Sequence, residues 1–251
     1  MFMNTARPAI PERSDRTAYT APTHVNSVDL HSFLEWAQRG PTWSTHQLDI
    51  FKPEATEPDN ATLYYAGDLS LANKPCVSVV GKREASPQGI TRAARLSREL
   101  VARGVVVVSG LAKGIDAAAH SSALENGGRT IGVIGTPLSK AYPAENATLQ
   151  ETIWREQLLI SPFPQDSQVF RSNFPRRNKV MAAISDATVI VEADDNSGTL
   201  HQAVACQELG RWLFILKSVV DSRSWPNRFL HIKNAVVLER TDQIFEALDL
   251  L

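Results

Sequence analysis

Two short runs constrain this chain more than anything else in it: VSVV at residues 77–80 and VVVV at residues 105–108. Both are built almost wholly of β-branched apolar residues, and each stops abruptly at small or basic ones. Between them, residues 89–103 place Ile90, Ala93, Leu96 and Leu100 on one helical face. Apolar runs without polar alternation read as strands buried on both faces, and a helix joining two of them makes a right-handed parallel βαβ unit. Ligands of such sheets bind beyond the carboxyl ends of the strands. Those ends carry Gly81, Lys82 and Arg83 after the first run, and Ser109, Gly110 and Lys113 after the second. Glycines admit a ligand close to the backbone, while Lys, Arg and the free amides of a following helix favour phosphate. The spacing therefore predicts an anion site in a strand-end crevice.

The alternation continues. Strands are predicted at 77–80, 105–108, 129–134, 158–160, 188–191, 212–216 and 235–238, and helices at 89–103, 114–125, 144–155, 175–185, 198–209 and 242–248. Short connections of alternating type give an α/β fold with a doubly wound, mainly parallel sheet. The 251 residues suffice for one large domain, assigned to residues 61–251, preceded by an N-terminal tail and short helical segment over residues 1–60. Residues 1–27 lack apolar periodicity and read as a disordered or draped tail. A short amphipathic helix over 28–39 would turn Leu30, Phe33, Leu34 and Ala37 inward, with a further turn or two over 43–51. Residues 52–60, with Pro53, Pro58 and carboxylates, read as a linker. Covering the core is one role for residues 28–51; docking a partner is the other.

A net charge of −1 rules out a polycation, so any nucleic-acid binding must come from a local basic patch. Cys76 and Cys206 stand far apart without metal-ligand spacing, and no segment has signal-peptide or membrane-spanning length. A reduced, cytoplasmic chain without metal, cofactor or membrane contact is the expectation.

Four stretches are candidates for chemistry. GKREASPQG is not a GxGxxG fingerprint, which disfavours ordinary dinucleotide binding. The planar fork of Arg83 suits phosphate, though a solvated loop arginine is the competing reading; Arg92, Arg95, Arg98 and Arg103 fit the solvated outer face of the crossover helix. In SGLAKGIDAAAH, Asp116 suits a first-turn carboxylate, His120 a packed core position, and Lys113 a Gly-flanked turn open to ligand. NFPRRNKVMAAIS is the densest cationic cluster, with Arg176, Arg177 and Lys179 behind Phe174 and Pro175. Pro175 suits a first helical position, so the cations crowd a helix N-terminus against its dipole, an unfavourable placement unless an anion sits there. Phe174 offers a stacking face for an unpaired base, or else packs into the core. Finally, Ser197, Gly198 and Thr199 open a helix and either donate amides to a phosphate or cap it. Glu192, Asp194 and Asp195 read as a surface turn, with a metal ion as the sharper alternative.

GKREASPQG, VVVVSGLAKGIDAAAHSSALENGGRTIGVIGT, YPAEN, FPRRNKVMAAIS and SGTLHQAVACQELGR, with ATLYYAGDLS ahead of them, resemble the DNA-processing protein A (DprA/Smf) family over residues 62–216. The resemblance implies an extended Rossmann-like fold that binds single-stranded DNA as a homodimer and hands it to the recombinase RecA in transformation. Carried over by motif, Gly81, Arg83, Ser109, Gly110, Lys113, Phe174, Arg177 and Asn178 would line the DNA pocket. The chain departs from the family at Ser161–Pro162–Phe163–Pro164, at Lys217–Ser218 and in DSRSWPNRFLHIKNA, and neither a SAM-type nor a winged-helix module is recognisable in it. A defence setting with a toxin-like or other partner protein is the alternative to transformation. The nucleotide phosphoribohydrolases similar to LOG enzymes share part of the pattern, but their catalytic carboxylate falls on Gln202, an amide unable to act as general base. The expectation is a non-catalytic binder of single-stranded DNA, with a nucleotide sensor or LOG-like hydrolase as the alternative.

Overall fold

A computed structural model describes residues 19–38, 62–195 and 197–250 of the chain. Its strands are β1 (Asn26–Asp29), β2 (Thr62–Gly67), β3 (Cys76–Gly81), β4 (Val106–Ser109), β5 (Thr130–Val133), β6 (Leu158–Ser161), β7 (Ala187–Glu192), β8 (Trp212–Leu216) and β9 (Ala235–Leu238). They form one sheet in the order β1-β2-β6-β5-β4-β3-β7-β8-β9. From β6 to β9 every pairing is parallel, and β2 and β1 add to the β6 edge antiparallel. The seven strands predicted from apolar runs are the seven parallel ones. β1 and β2 were not predicted, because partly exposed strands carry a weaker pattern than strands covered on both faces.

The helices are α1 (Leu30–Trp36), α2 (Pro87–Ala102), α3 (Ile115–Glu125), α4 (Ala147–Glu156), α5 (Asn173–Ile184), α6 (Thr199–Glu208), α7 (Lys217–Val220) and α8 (Asp242–Ala247). They pack on both faces of the sheet, and β3 shows why both sides of a strand must be small or apolar. Cys76 and Val80 join a core containing α1, α5 and α6, whereas Val77 and Val79 join one containing α2, α3 and α8. α2 begins as its sequence dictates: Ser86 accepts from the Gly89 amide at 3.0 Å, Pro87 opens the first turn, and Ala93, Leu96 and Leu100 are buried. Arg92, Arg95 and Arg98 lie on its exposed side, the solvated face expected of them.

The N-terminal segment is drawn into this architecture. β1 pairs with β2, α1 buries Leu30, Phe33 and Leu34, and Ala37 is buried behind them, so residues 28–38 of that segment cover the core. Residues 19–25 drape over α4, where Trp154 Nε1 donates to the Thr20 carbonyl at 3.0 Å and Tyr19 donates to the Leu138 carbonyl at 2.9 Å. The turns expected at 43–51 and the linker at 52–60 lie outside the described residues. No helix among those described is long and apolar enough to cross a membrane.

The topology decides where a ligand can sit. From β3 the chain steps through β4, β5 and β6 on one side; α5 then carries it back to β7 on the other side of β3. Loops leaving β3 and β7 therefore diverge and open a crevice at their carboxyl ends, the topological switch point of a doubly wound sheet.

Candidate nucleic-acid interface

The crevice at the β3/β7 switch point is a cleft of about 650 Å³, in the range of small-ligand sites. Gly81, Lys82 and Arg83 line it from the end of β3 and the loop after it, Phe174, Arg177 and Asn178 from α5, and Ser197, Gly198 and Thr199 from the entry to α6. Nine of the residues singled out in the sequence thus meet in one place. Ser109, Gly110, Lys113, Arg176 and Lys179 do not line it. Ser109 is fully buried, its hydroxyl donating to the Val79 carbonyl at 2.6 Å. Lys113 is exposed and paired with Glu145, and the Arg176 guanidinium lies 5.5 Å from the Phe163 ring centre.

Arg177 resolves the conflict posed by cations at a helix start. α5 begins at Asn173, two residues before the position expected for Pro175, which places Arg177 in the second turn with its side chain turned inward. Its Nη1 donates to the Val133 carbonyl at 3.2 Å and lies 4.0 Å from Asp116 Oδ2. Both side chains are only 6% exposed. The anion demanded by the sequence is supplied by the fold itself. Burial pushes the Asp116 carboxyl above the usual carboxylate range, although Arg177 and nearby backbone amides pull it down. Burial likewise lowers Arg177 to about 10, against the pull of Asp116, so the guanidinium stays charged at neutral pH. Gly110 permits this packing, since a Cβ there would overlap the guanidinium. The Arg177 Nε is buried without a hydrogen-bond partner among the described residues.

Several amides near the strand ends are taken by the protein's own side chains. Glu192 accepts from the Ser86 amide at 3.1 Å and from its hydroxyl at 2.8 Å, closing the start of α2. Asp116 accepts from the Gly110 amide at 3.2 Å just ahead of α3. At α6, the Ser197 hydroxyl accepts from the Thr199 amide at 3.2 Å, the capping alternative. Charged side chains of both signs line the cleft. Lys82, Arg83, Arg177 and Arg223 line it as cations, against Glu84, Asp116, Asp194 and Asp195.

Phe174 is half-buried between the protein and the cleft. One side of the ring lies on Gly135, where a Cβ would stand 2.8 Å from Phe174 Cδ1, and its centre is 5.5 Å from that of Tyr142. The ring nonetheless lines the half-open cleft, with the exposed Arg83 guanidinium 5.3 Å from its centre. An aromatic plane beside a cation is suited to an unpaired base and its phosphate.

Several participants escaped the sequence reading of the site. Tyr142 and Asn146 belong to YPAEN, quoted above without a role. Asn146 Nδ2 donates to the carbonyls of Leu111 (2.9 Å) and Ala112 (3.1 Å), pinning the loop after β4. Leu111 there adopts φ 56°, left-handed backbone that an L side chain holds only when its surroundings impose it. Arg223 comes from the irregular segment after α7, which carried no periodic signal. Gln202 is fully buried, and with its amide oriented to satisfy both ends it donates to the Asn178 carbonyl (2.8 Å) and accepts from the Ala182 amide and the Thr188 hydroxyl. It ties α6 to α5. His120 is a core histidine, its Nδ1 2.7 Å from the Thr130 hydroxyl. No group of metal-ligating side chains that could hold an ion occurs among the described residues.

Comparison with known proteins places the chain in a family and fold. The family model for DNA recombination-mediator protein A matches residues 41–249. The DNA processing protein DprA of Streptococcus pneumoniae is 40% identical over 163 residues, covering 64% of this chain and 57% of that protein. Protein Smf of Synechocystis is 42% identical over 163 residues, covering 63% and 41%. The chain thus spans about half the length of these curated relatives. The solved DNA processing protein A of Streptococcus pneumoniae superposes with a TM-score of 0.69 at 30% identity, covering 89% of this chain and 74% of that one. The Helicobacter pylori protein, studied for its single-stranded DNA binding mode, gives 0.69 at 26% identity, covering 89% and 95%. A molybdenum cofactor binding protein from Rippkaea orientalis, at 17% identity and TM-score 0.52, shares the fold.

Proposed function

The chain belongs to the DNA recombination-mediator protein A family, the DprA/Smf proteins, and on that premise we propose that its strand-end cleft binds single-stranded DNA without catalysing a reaction. The observation that carries this reading is the Phe174 ring set beside Arg83 at the switch point, with Lys82 lining the same cleft. A base lies on the ring only when it is free of a duplex, while the neighbouring cations take the phosphates on either side of it. Stacking is indifferent to base identity, so binding is expected to tolerate any sequence. Gln202 supports the non-catalytic part: it stands where related hydrolases carry their carboxylate, and a neutral amide accepts no proton at neutral pH. The solved Helicobacter pylori relative, whose DNA binding mode is single-stranded, is further support. The proposal extends to a homodimer that passes DNA to RecA, as the resemblance implies; light scattering of the pure protein checks the dimer.

One observation favours a nucleotide sensor instead. Four acidic side chains balance four basic ones in the cleft, which suits a ligand with few phosphates. A titration separates the two. Labelled oligo-dT is expected to bind at low salt and weaken as salt rises, because each neutralised phosphate releases counterions. Thymidine monophosphate should bind far more weakly, and AMP should yield no free base above background. Tight binding of the mononucleotide with no shift for oligo-dT would replace DNA with the sensor; base release from AMP would make the protein a hydrolase.

A further inference from the structure

Three distant parts of the chain converge on one carboxylate in the cleft. Lys82, just past β3, places its Nζ 2.7 Å from Asp194 Oδ2, and Arg223, beyond α7, places Nη2 2.8 Å from Asp194 Oδ1. Asp194 itself follows β7 in the turn leading to α6, and all three side chains line the cleft. Each carboxylate oxygen takes one cation, the arrangement that two oxygens of a bridging phosphate would adopt.

We propose that Asp194 is an internal stand-in for phosphate, a carboxylate that clamps Lys82 and Arg223 across the cleft mouth and is displaced when a nucleic-acid phosphate takes its place. This rests on the single-stranded DNA reading and adds to it a gate on that site, with Arg223 as a further phosphate-binding residue. Two of the nearby carboxylates have other duties. Glu192 is held by Ser86 at the start of α2, and Asp116 is buried against Arg177, so neither competes for these two cations. Arg83 stands outside the clamp, near Phe174, free to make the first contact with an incoming strand.

The clamp is suited to opening. Its side chains are between 32% and 42% exposed, and ion pairs at that exposure are weak in water. The Lys82 hydrogen bond, with the charges of Lys82 and Arg223, holds the Asp194 carboxyl below the usual range, so it stays ionised and closed at neutral pH. A monovalent anion gains little by replacing a carboxylate already in place. A phosphate chain gains more, because Arg83 and Phe174 hold the adjoining nucleotide while the exchange occurs. Asp194 thus attenuates binding and biases the site towards a polymer over a small anion.

The test compares wild type with Asp194→Asn, and with Glu125→Gln at the far end of α3 as a control for net charge, using oligo-dT and thymidine monophosphate across salt concentrations. Asp194→Asn is expected to tighten oligo-dT about three- to tenfold at low salt and to steepen the salt dependence by about one unit of slope. Glu125→Gln should leave both unchanged, and the gain should vanish when Lys82→Ala and Arg223→Ala are added. Unchanged or weaker binding by Asp194→Asn overturns the clamp while wild-type binding to oligo-dT leaves the DNA reading standing. If wild type binds only the monophosphate, the DNA reading falls, and the clamp survives only if Asp194→Asn tightens the monophosphate. Binding of neither probe overturns both.

Discussion

Replacing Arg177 with alanine tests whether this arginine belongs to the ligand or to the fold. The variant would leave Asp116 buried without its cation and deprive the Val133 carbonyl of a donor at 3.2 Å. Breaking a buried pair from one side destabilises by about 3–5 kcal/mol, a large share of a domain's usual 5–15 kcal/mol. Proton uptake by Asp116 limits the loss, and its sign follows from linkage. Burial already raises the Asp116 pKa, with Arg177 the main opposing charge, so the variant raises it further. A carboxyl with a raised folded pKa stabilises below its unfolded value, and that contribution disappears as pH climbs through the folded value. The deficit should therefore be smaller at pH 5 than at pH 7.5. Urea unfolding followed by tryptophan fluorescence, for wild type and variant at both pH values, reads it directly; Arg177 also helps hold the His120 pKa down, so its removal lets that pKa rise and narrows the deficit at pH 5 in the same direction. Arg83→Ala is the comparator, since its exposed side chain should influence oligo-dT affinity and leave stability within about 0.5 kcal/mol. If Arg177→Ala proves as stable as wild type at both pH values and loses DNA binding as Arg83→Ala does, the guanidinium serves the ligand and the assignment to the fold is refuted.

Two further outcomes follow from named contacts. Phe174→Ala should weaken oligo-dT by about 1–3 kcal/mol, roughly 5- to 150-fold, read by fluorescence anisotropy; undiminished affinity would remove the ring from the interface. Acid should loosen the fold through His120, whose burial drives its pKa down to about 3. Because the folded value lies below the ordinary 6.5, the neutral ring's contribution is complete above pH 6.5 and is lost as pH falls towards 3, amounting to about 2 kcal/mol at pH 5. A non-ionising His120→Asn variant should decline by that much less between pH 7.5 and 5 in urea melts, and parallel declines would exonerate the histidine.

Much of the fold is legible in the chain because its strands are extreme. A strand covered on both faces admits few polar residues, so VSVV and VVVV announce themselves without any neighbour. β1 and β2 form the antiparallel margin of the sheet, where burial is partial, polar groups are tolerated and the pattern dilutes. The site was legible in the same uneven way. Gly81, Lys82 and Arg83 follow a strand directly, and connectivity alone puts them beyond its carboxyl end. Arg223 follows no regular run, and only folding carries it to the cleft.

Local sequence determined that basic and aromatic residues gather at strand ends and that Arg177 near a helix start requires an anion. The identity of that anion was decided by tertiary structure. Asp116 lies far from Arg177 along the chain and meets it 4.0 Å away, because α3 and α5 bring the two together beside Gly110. The same holds for Glu192 on Ser86 and for Asp194 between Lys82 and Arg223. Residue type and spacing state how much charge a segment carries. Which opposite charge neutralises it depends on distances of a few ångströms between segments remote in sequence, and electrostatic energy varies too steeply with separation and burial to be read from the chain alone.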